Sequence, residues 1–165
     1  MSGSAADTGR FRRPDEPAAA ELVAALHAQG RTAMVQPYLA GIDTEGETSL
    51  VFLGGRFSHA VRREPLLAGS GVRRPVVVAD VLATVRAVEP TGEQLSLAER
   101  TLDAVPGGPG RLGYARVDVI PGPDGPVLLE LEATDCFLFL AFASPAARMR
   151  LAEHVLRPVT GTRPS

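Results

Sequence analysis

Three carboxylates and a guanidinium recur at regular spacing in the stretch Tyr114 to Glu132, YARVDVIPGPDGPVLLELE. Apolar and polar residues alternate on both sides of a turn built from Pro121, Gly122, Pro123, Asp124, Gly125 and Pro126. That is the pattern of a β-hairpin with a longer loop. Folding symmetrically about Asp124 sets Asp118 opposite Glu130 and Arg116 opposite Glu132. Side chains alternate faces along a strand, so Val117 and Val119 meet Leu131 and Leu129 on the other side. Opposed Cβ atoms lie about 4.5–5.5 Å apart, close enough for Asp118, Glu130 and Glu132 to share a cation. Magnesium suits such a set, because it takes oxygen ligands and is usually held by one or two carboxylates together with phosphate oxygens. The plainer reading is a solvated hairpin face carrying an Arg116–Glu132 surface pair worth about 0–1 kcal/mol. Spacing alone leaves both open.

The elements that position this hairpin follow from periodicity. Residues 1–16 are small, polar and turn-rich, and read as a Gly/Ser-rich loop. Glu16-Pro17 opens an Ala-rich helix with Leu22, Ala25 and Leu26 at helical spacing, and Gly30 suits its C-terminal stop. Thr32 to Leu39 (TAMVQPYL) has a strand pattern that Pro37 interrupts, which demotes its end to an edge or crossover. The acidic loop AGIDTEGE follows, in which Asp43 and Glu45 read as solvated. TSLVFLGGRFSHAV then reads as two strands about Gly54-Gly55, pairing Phe52 with Phe57, Leu50 with His59 and Glu47 with Arg62. Glu64 to Pro75 reads as loop, and Val76 to Val88 as either strand or helix. Leu95 to Val105 is an amphipathic helix with Leu97, Ala98, Leu102 and Val105 on one side. After the hairpin, Cys136 to Phe142 is apolar enough for core, and Ser144-Pro145 caps a last helix. Residues 157–165 read as a flexible tail. The sum is an α+β arrangement of mainly antiparallel strands with flanking helices.

Composition bounds the partners. At 165 residues with 45% hydrophobic content the chain can bury one core. A formal net charge of −2 gives no electrostatic case for nucleic acid or membrane. No apolar run approaches the ~20 residues of a membrane span. The single Cys136 cannot pair internally, so a reducing cytoplasm is the default location. All 17 basic residues are Arg, so the chain offers no side-chain amine.

Other candidates are weaker. Glu47 could accept hydrogen bonds from a ligand's hydroxyl pair, or simply belong to a polar connection. Arg62-Arg63 could grip phosphate oxygens in bidentate fashion, or be a surface pair. Ser58-His59 has the residue types of a nucleophile and base, but neighbours on a strand point to opposite faces, so they cannot form a catalytic pair. Cys136, among Phe137, Leu138 and Phe139, reads as an inert core thiol.

Taken in order, QPYL, then GET-strand-GG-strand-SHAVR, then YARVDV, then LLELE resembles the C-terminal half of an ATP-grasp ligase. The likeness is to the bacterial ligases of the cycloserine-biosynthesis type, and more distantly to glutathione synthetase and the ribosomal-protein glutamate ligase. It spans roughly Ser2 to Leu156, so residues 17–156 would be the C-terminal part of the nucleotide-binding domain, in a partial ATP-grasp fold. The resemblance implies ATP held between two antiparallel sheets and, with Mg2+, transfer of its γ-phosphate to a small-molecule carboxylate. An amine-type nucleophile would then attack the acyl phosphate. It also implies roles: Gln36, Tyr38 and Leu39 at the adenine-reading hinge, Glu47 on the ribose hydroxyls, and Arg63 directed at the phosphates. Asp118 and Glu130 would hold the metal, with Glu132 where most of the superfamily has Asn. Arg116 would steady the phosphate or acyl phosphate as charge develops.

The departures carry expectations too. The family's phosphate-binding lysine has no counterpart in a chain without lysine. Its strand, with the substrate domain, would precede Met1, so the start is expected to be truncated or the protein a remnant. Taken alone, the chain is then expected to bind nucleotide weakly at most and not to turn over. A non-catalytic module that binds a partner, such as a separately encoded N-terminal half, is the alternative.

Overall fold

The computed structural model describes residues 7–64, 71–72 and 82–156. Most of the expected loop after Glu64, the first part of the Val76–Val88 run and the tail 157–165 lie outside them. In chain order the elements are β1 (Gly9–Arg10), α1 (Glu16–Ala28), α2 (Ile42–Glu45), β2 (Glu47–Leu53), β3 (Arg56–Arg63), β4 (Gly71–Val72), β5 (Arg86–Val88), α3 (Gly92–Asp103), β6 (Tyr114–Gly122), β7 (Gly125–Glu132) and α4 (Pro145–Leu156). The fold is α+β, as the patterning implies. Five strands form one antiparallel sheet in the order β5-β3-β2-β6-β7, and β1 pairs with β4 in a separate short ribbon. The N-terminal stretch read as loop therefore contributes a strand.

β2 is the centre of the sheet, and every residue from Glu47 to Leu53 is buried. One face presents Leu50, Phe52, Ala60, Ala115, Val117 and Val119 to Ala98 and Leu102 of α3. Helix α3 starts earlier than its apolar periodicity suggests, because Thr91 and Gln94 form a capping box. Thr91 Oγ1 accepts from the Gln94 N–H at 3.2 Å, and Gln94 Oε1 accepts from the Thr91 N–H at 3.0 Å. The Gln94 amide also donates to Thr48 Oγ1 at 3.3 Å, which ties the helix start to β2. On the opposite face a smaller cluster, Val61, Val85 and Phe139, forms with Leu82 and Phe142.

Three expectations are corrected here. Thr32 to Leu39 is not a strand: it runs as irregular backbone with Met34 and Val35 about four-fifths exposed. Pro37 removes a donor, and no strand among the described residues lies alongside the segment to satisfy the rest. In the first hairpin Gly54 and Gly55 make the turn with φ of 55° and 76°, and Phe52 faces Phe57 as expected. Beyond that a bulge at Ser58 shifts the register, so Val51 faces His59, Leu50 faces Ala60, and Glu47 faces Arg63 rather than Arg62. In the second hairpin Asp118 faces Glu130 and Arg116 faces Glu132 as expected. Val119 meets Leu128 instead of Leu129, because the strands turn at Pro123-Asp124 and a bulge at Leu129 follows.

Candidate functional site

The face of the sheet turned away from α3 is polar. Alternation from the buried pairs places Glu47 and Ser49 of β2, Arg63 of β3, Arg116 and Asp118 of β6, and Glu130 and Glu132 of β7 on it. Gly46 leads into β2 with φ of 73°, and a Cβ there would collide with the Arg63 carbonyl oxygen. The two backbones can approach this closely only at a glycine.

Arg116 grips Asp118 as a fork, Nε to Oδ1 at 2.8 Å and Nη2 to Oδ2 at 2.7 Å, and reaches Glu132 Oε2 from Nη1 at 2.9 Å. Arg63 Nη2 bridges Glu47 Oε1 and Asp118 Oδ2, the latter at 3.3 Å. Asp118 is fully buried, and Glu47 and Arg116 nearly so. Burial pushes the Glu47 carboxyl up to about 7, against the pull of the Arg63 guanidinium. Burial opposes the Arg116 charge, but its hydrogen bonds to Asp118 and the surrounding carboxylates prevail and hold it protonated. Glu130 is the exception. Its carboxylate makes no hydrogen bond or ion pair among the described residues, and burial, then Glu132 and Asp118, raise its pKa. Four carboxylates thus share the face with two guanidiniums.

A strap after β7 covers part of this face. The Phe139 ring lies 5.4 Å from the Arg63 guanidinium carbon and 5.6 Å from that of Arg116, in cation–π contact with both. Arg116 Nη1 donates to the Phe137 carbonyl at 3.2 Å. The expectation that Cys136 to Phe142 is core is only partly met: Phe139 is buried, but Phe137 is half exposed and Cys136 half-buried. The strap crosses a polar face, and Phe137 and Ala141 turn outward. Burial pushes the Cys136 thiol up, as suits an unreactive group.

Of the residues singled out from sequence, Glu47, Arg63, Arg116, Asp118, Glu130 and Glu132 come together. Gln36, Tyr38 and Leu39 lie in the irregular segment before α2. Gln36 is exposed, and Tyr38 stacks under Arg10 at 3.6 Å. The Tyr38 hydroxyl donates to Asp43, which also accepts from Arg10 at 3.0 Å, so Asp43 is exposed, as expected, and also paired. Ser58 and His59 are a further correction. The bulge brings His59 Nδ1 to 3.1 Å from Ser58 Oγ, although strand alternation argued against contact. Ser49 was missed: its buried hydroxyl has no hydrogen-bond partner among the described residues, and a period of two from Glu47 would have found it. No such signal marks Phe139.

Among the described residues no three His, Cys, Asp or Glu side chains group closely enough to hold a metal ion by themselves. Asp118 is taken up by the arginines, whereas Glu130 and one oxygen of Glu132 are available. That donor set fits magnesium held partly by carboxylate and partly by phosphate, not a closed protein cage.

No family model matches the chain. It is 34% identical over 153 residues to the cycloserine biosynthesis protein DcsG of Streptomyces lavendulae, covering 89% of this chain and 49% of that protein. It superposes on the crystal structure of D-cycloserine synthetase DcsG with a TM-score of 0.80 and 31% identity, over 92% of this chain and 51% of that one. A fainter likeness, TM-score 0.42 and 18% identity, links 72% of the chain to 35% of the ATP-grasp ligase PsnB, too distant to bear on the site. The chain spans about half the length of the curated relative it matches. With about a third of its residues and its fold shared across nine-tenths of its length, the chain has a partial ATP-grasp fold similar to that of the DcsG-type ligases.

Proposed function

We propose that this chain is the C-terminal, magnesium- and ATP-binding part of a cytoplasmic ATP-dependent ligase that joins a carboxylate to an amine or related nucleophile through an acyl phosphate. The observation that carries the reading is the polar sheet face, where two guanidiniums and a surplus of carboxylates are held in fixed geometry. An excess of anions on a half-buried face is costly unless a cation joins it. Glu130 and Glu132 offer oxygens to that cation. Magnesium, when bound, would neutralise phosphate charge and so make the terminal phosphorus easier to attack. Arg116, fixed by Asp118, holds its positive charge in place beside developing charge on oxygen, and so needs little reorganisation when that charge appears. Arg63 is the second cation available to phosphate, in a chain that has no lysine. Engaging phosphate would loosen its bonds to Glu47 and Asp118, which leaves Asp118 held by Arg116 alone, with a lone pair of Oδ2 turned to a cation in place of Arg63.

A second reading, a non-catalytic module of the same fold, is favoured by one observation: as it stands, Asp118 is a partner of two arginines. Equilibrium dialysis of ATP with the purified chain separates the two. Magnesium-dependent binding, weak but measurable, is expected for the parent and lost in Glu130→Ala and Asp118→Ala. If both variants bind like the parent, the proposed metal site is wrong. If the parent binds nothing, the non-catalytic reading stands.

A further inference from the structure

We propose that His59 is a positioning residue that pins the strap from Ala133 to Ala143 over the Arg63–Arg116 pair. His59 Nε2 lies 2.8 Å from the Leu138 carbonyl, 79 residues away in sequence. A carbonyl only accepts, so Nε2 carries the proton and Nδ1 is left bare. The Ser58 hydroxyl then donates to Nδ1 at 3.1 Å and sets the ring's orientation. Ser58 is held in turn, since Arg150 of α4 donates to its carbonyl at 2.7 Å. Burial lowers the imidazole pKa, in keeping with a neutral ring of this tautomer.

Leu138 is the point where fixing the strap has most effect. Its neighbours on either side are the residues that meet the arginines: the Phe137 carbonyl accepts from Arg116, and the Phe139 ring lies over both guanidiniums. The strap does not relax into this shape by itself. Asp135 and Phe139 both have left-handed backbones, φ 54° and 50°, which non-glycine residues hold only where neighbours over-determine them. The other fastenings among the described residues are the packing of Phe139 and Phe142 with Val61, Val85 and Leu82, and the Asp135 N–H donating to the Tyr114 hydroxyl at 3.3 Å. Without the His59 bond the strap would lift from the face, and water would reach the arginine pair.

Cys136, the only thiol in the chain, sits in the strap and reports its lifting. The experiment is the rate of maleimide labelling of Cys136 in the 165-residue chain, at low urea concentrations well below unfolding. Loss of one hydrogen bond predicts labelling roughly fivefold faster in His59→Ala, with little dependence on urea because the opening is local. His59→Gln, whose amide N–H can reach the Leu138 carbonyl, restores the parent rate. The proposal is overturned if His59→Ala labels like the parent, if His59→Gln is as fast as His59→Ala, or if the faster rate rises with urea as steeply as global unfolding. Should His59→Ala not fold, Ser58→Ala frees the ring and must label faster than His59→Gln; equal rates overturn the proposal as well. The pinning stands apart from the nucleotide reading, on which only its consequence for ATP rests. If labelling responds as described while the parent binds no ATP, the strap is pinned as proposed and the function proposed above fails.

Discussion

Glu47 makes the energetics of the polar face measurable through pH. Its carboxyl is buried between Arg63 and Asp118, and burial raises its pKa from the ordinary 4.5 to about 7. In that interval the folded protein holds a proton that the unfolded chain has released. Stability from this group is therefore fully present below about pH 4.5 and lost as pH rises through about 7. At about 1.36 kcal/mol per pH unit, the displacement is worth at most about 3 kcal/mol. Glu47→Gln keeps the shape and removes the titration. Urea unfolding of parent and variant between about pH 5 and about pH 8 isolates the effect, because every other titrating group is common to both. The parent is expected to lose up to about 3 kcal/mol relative to Glu47→Gln across that range, with the urea slope unchanged. Glu130, also raised, and His59, lowered, shape the individual curves but cancel in the difference. A difference that stays flat from pH 5 to pH 8 would show that the Arg63 ion pair already compensates the buried charge, and would refute the reasoning.

Two further predictions concern stability. Arg116→Met leaves the buried Asp118 without its forked partner and should cost about 3–5 kcal/mol in urea unfolding. Replacing both residues with apolar side chains of similar size should recover most of that loss, since the penalty comes from the stranded charge. Leu102→Ala opens a cavity between α3 and the sheet and should cost about 2–5 kcal/mol, with no change in urea slope.

The catalytically suggestive residues were legible because strand alternation is a strong constraint. The pairs Arg116–Glu132 and Asp118–Glu130 follow from counting outward from a Pro/Gly turn, and the structure places them so. The apolar face of α3 follows equally from its periodicity. Its start did not, although Thr91-Gly92-Glu93-Gln94 carries the capping-box signature, because weight fell on the apolar repeat instead. Thr32–Leu39 failed for a different reason. Strand propensity describes how a segment fits a pleated neighbour, and no strand lies alongside this one among the described residues. The Phe139 contacts depend on two left-handed residues in an irregular strap, which no local pattern announces. Nor does any pattern mark the long-range contact between His59 and Leu138.

The two bulges decide what the polar face contains. In the second hairpin the pairing nearest the turn sets Val119 against Leu128. Carried on unbroken, that register would set Asp118 against Leu129 and Arg116 against Leu131, and send Glu130 and Glu132 to the apolar face beneath α3. A one-residue slip exchanges every side chain between faces. The extra residue at Leu129 restores the match, so the carboxylates return to the side of the arginines. In the first hairpin the unbroken register would have joined Glu47 to Arg62 and sent Val61 and Arg63 to the face that carries Leu50 and Phe52. The bulge at Ser58 brings Arg63 to Glu47 and, in the same step, turns Ser58 and His59 toward one another. A hairpin without these insertions could bury one face well, but its charges would divide between the two. The bulges therefore gather acids and guanidiniums from four strands onto one side of the sheet, which is what a site for a cation and an anion together requires.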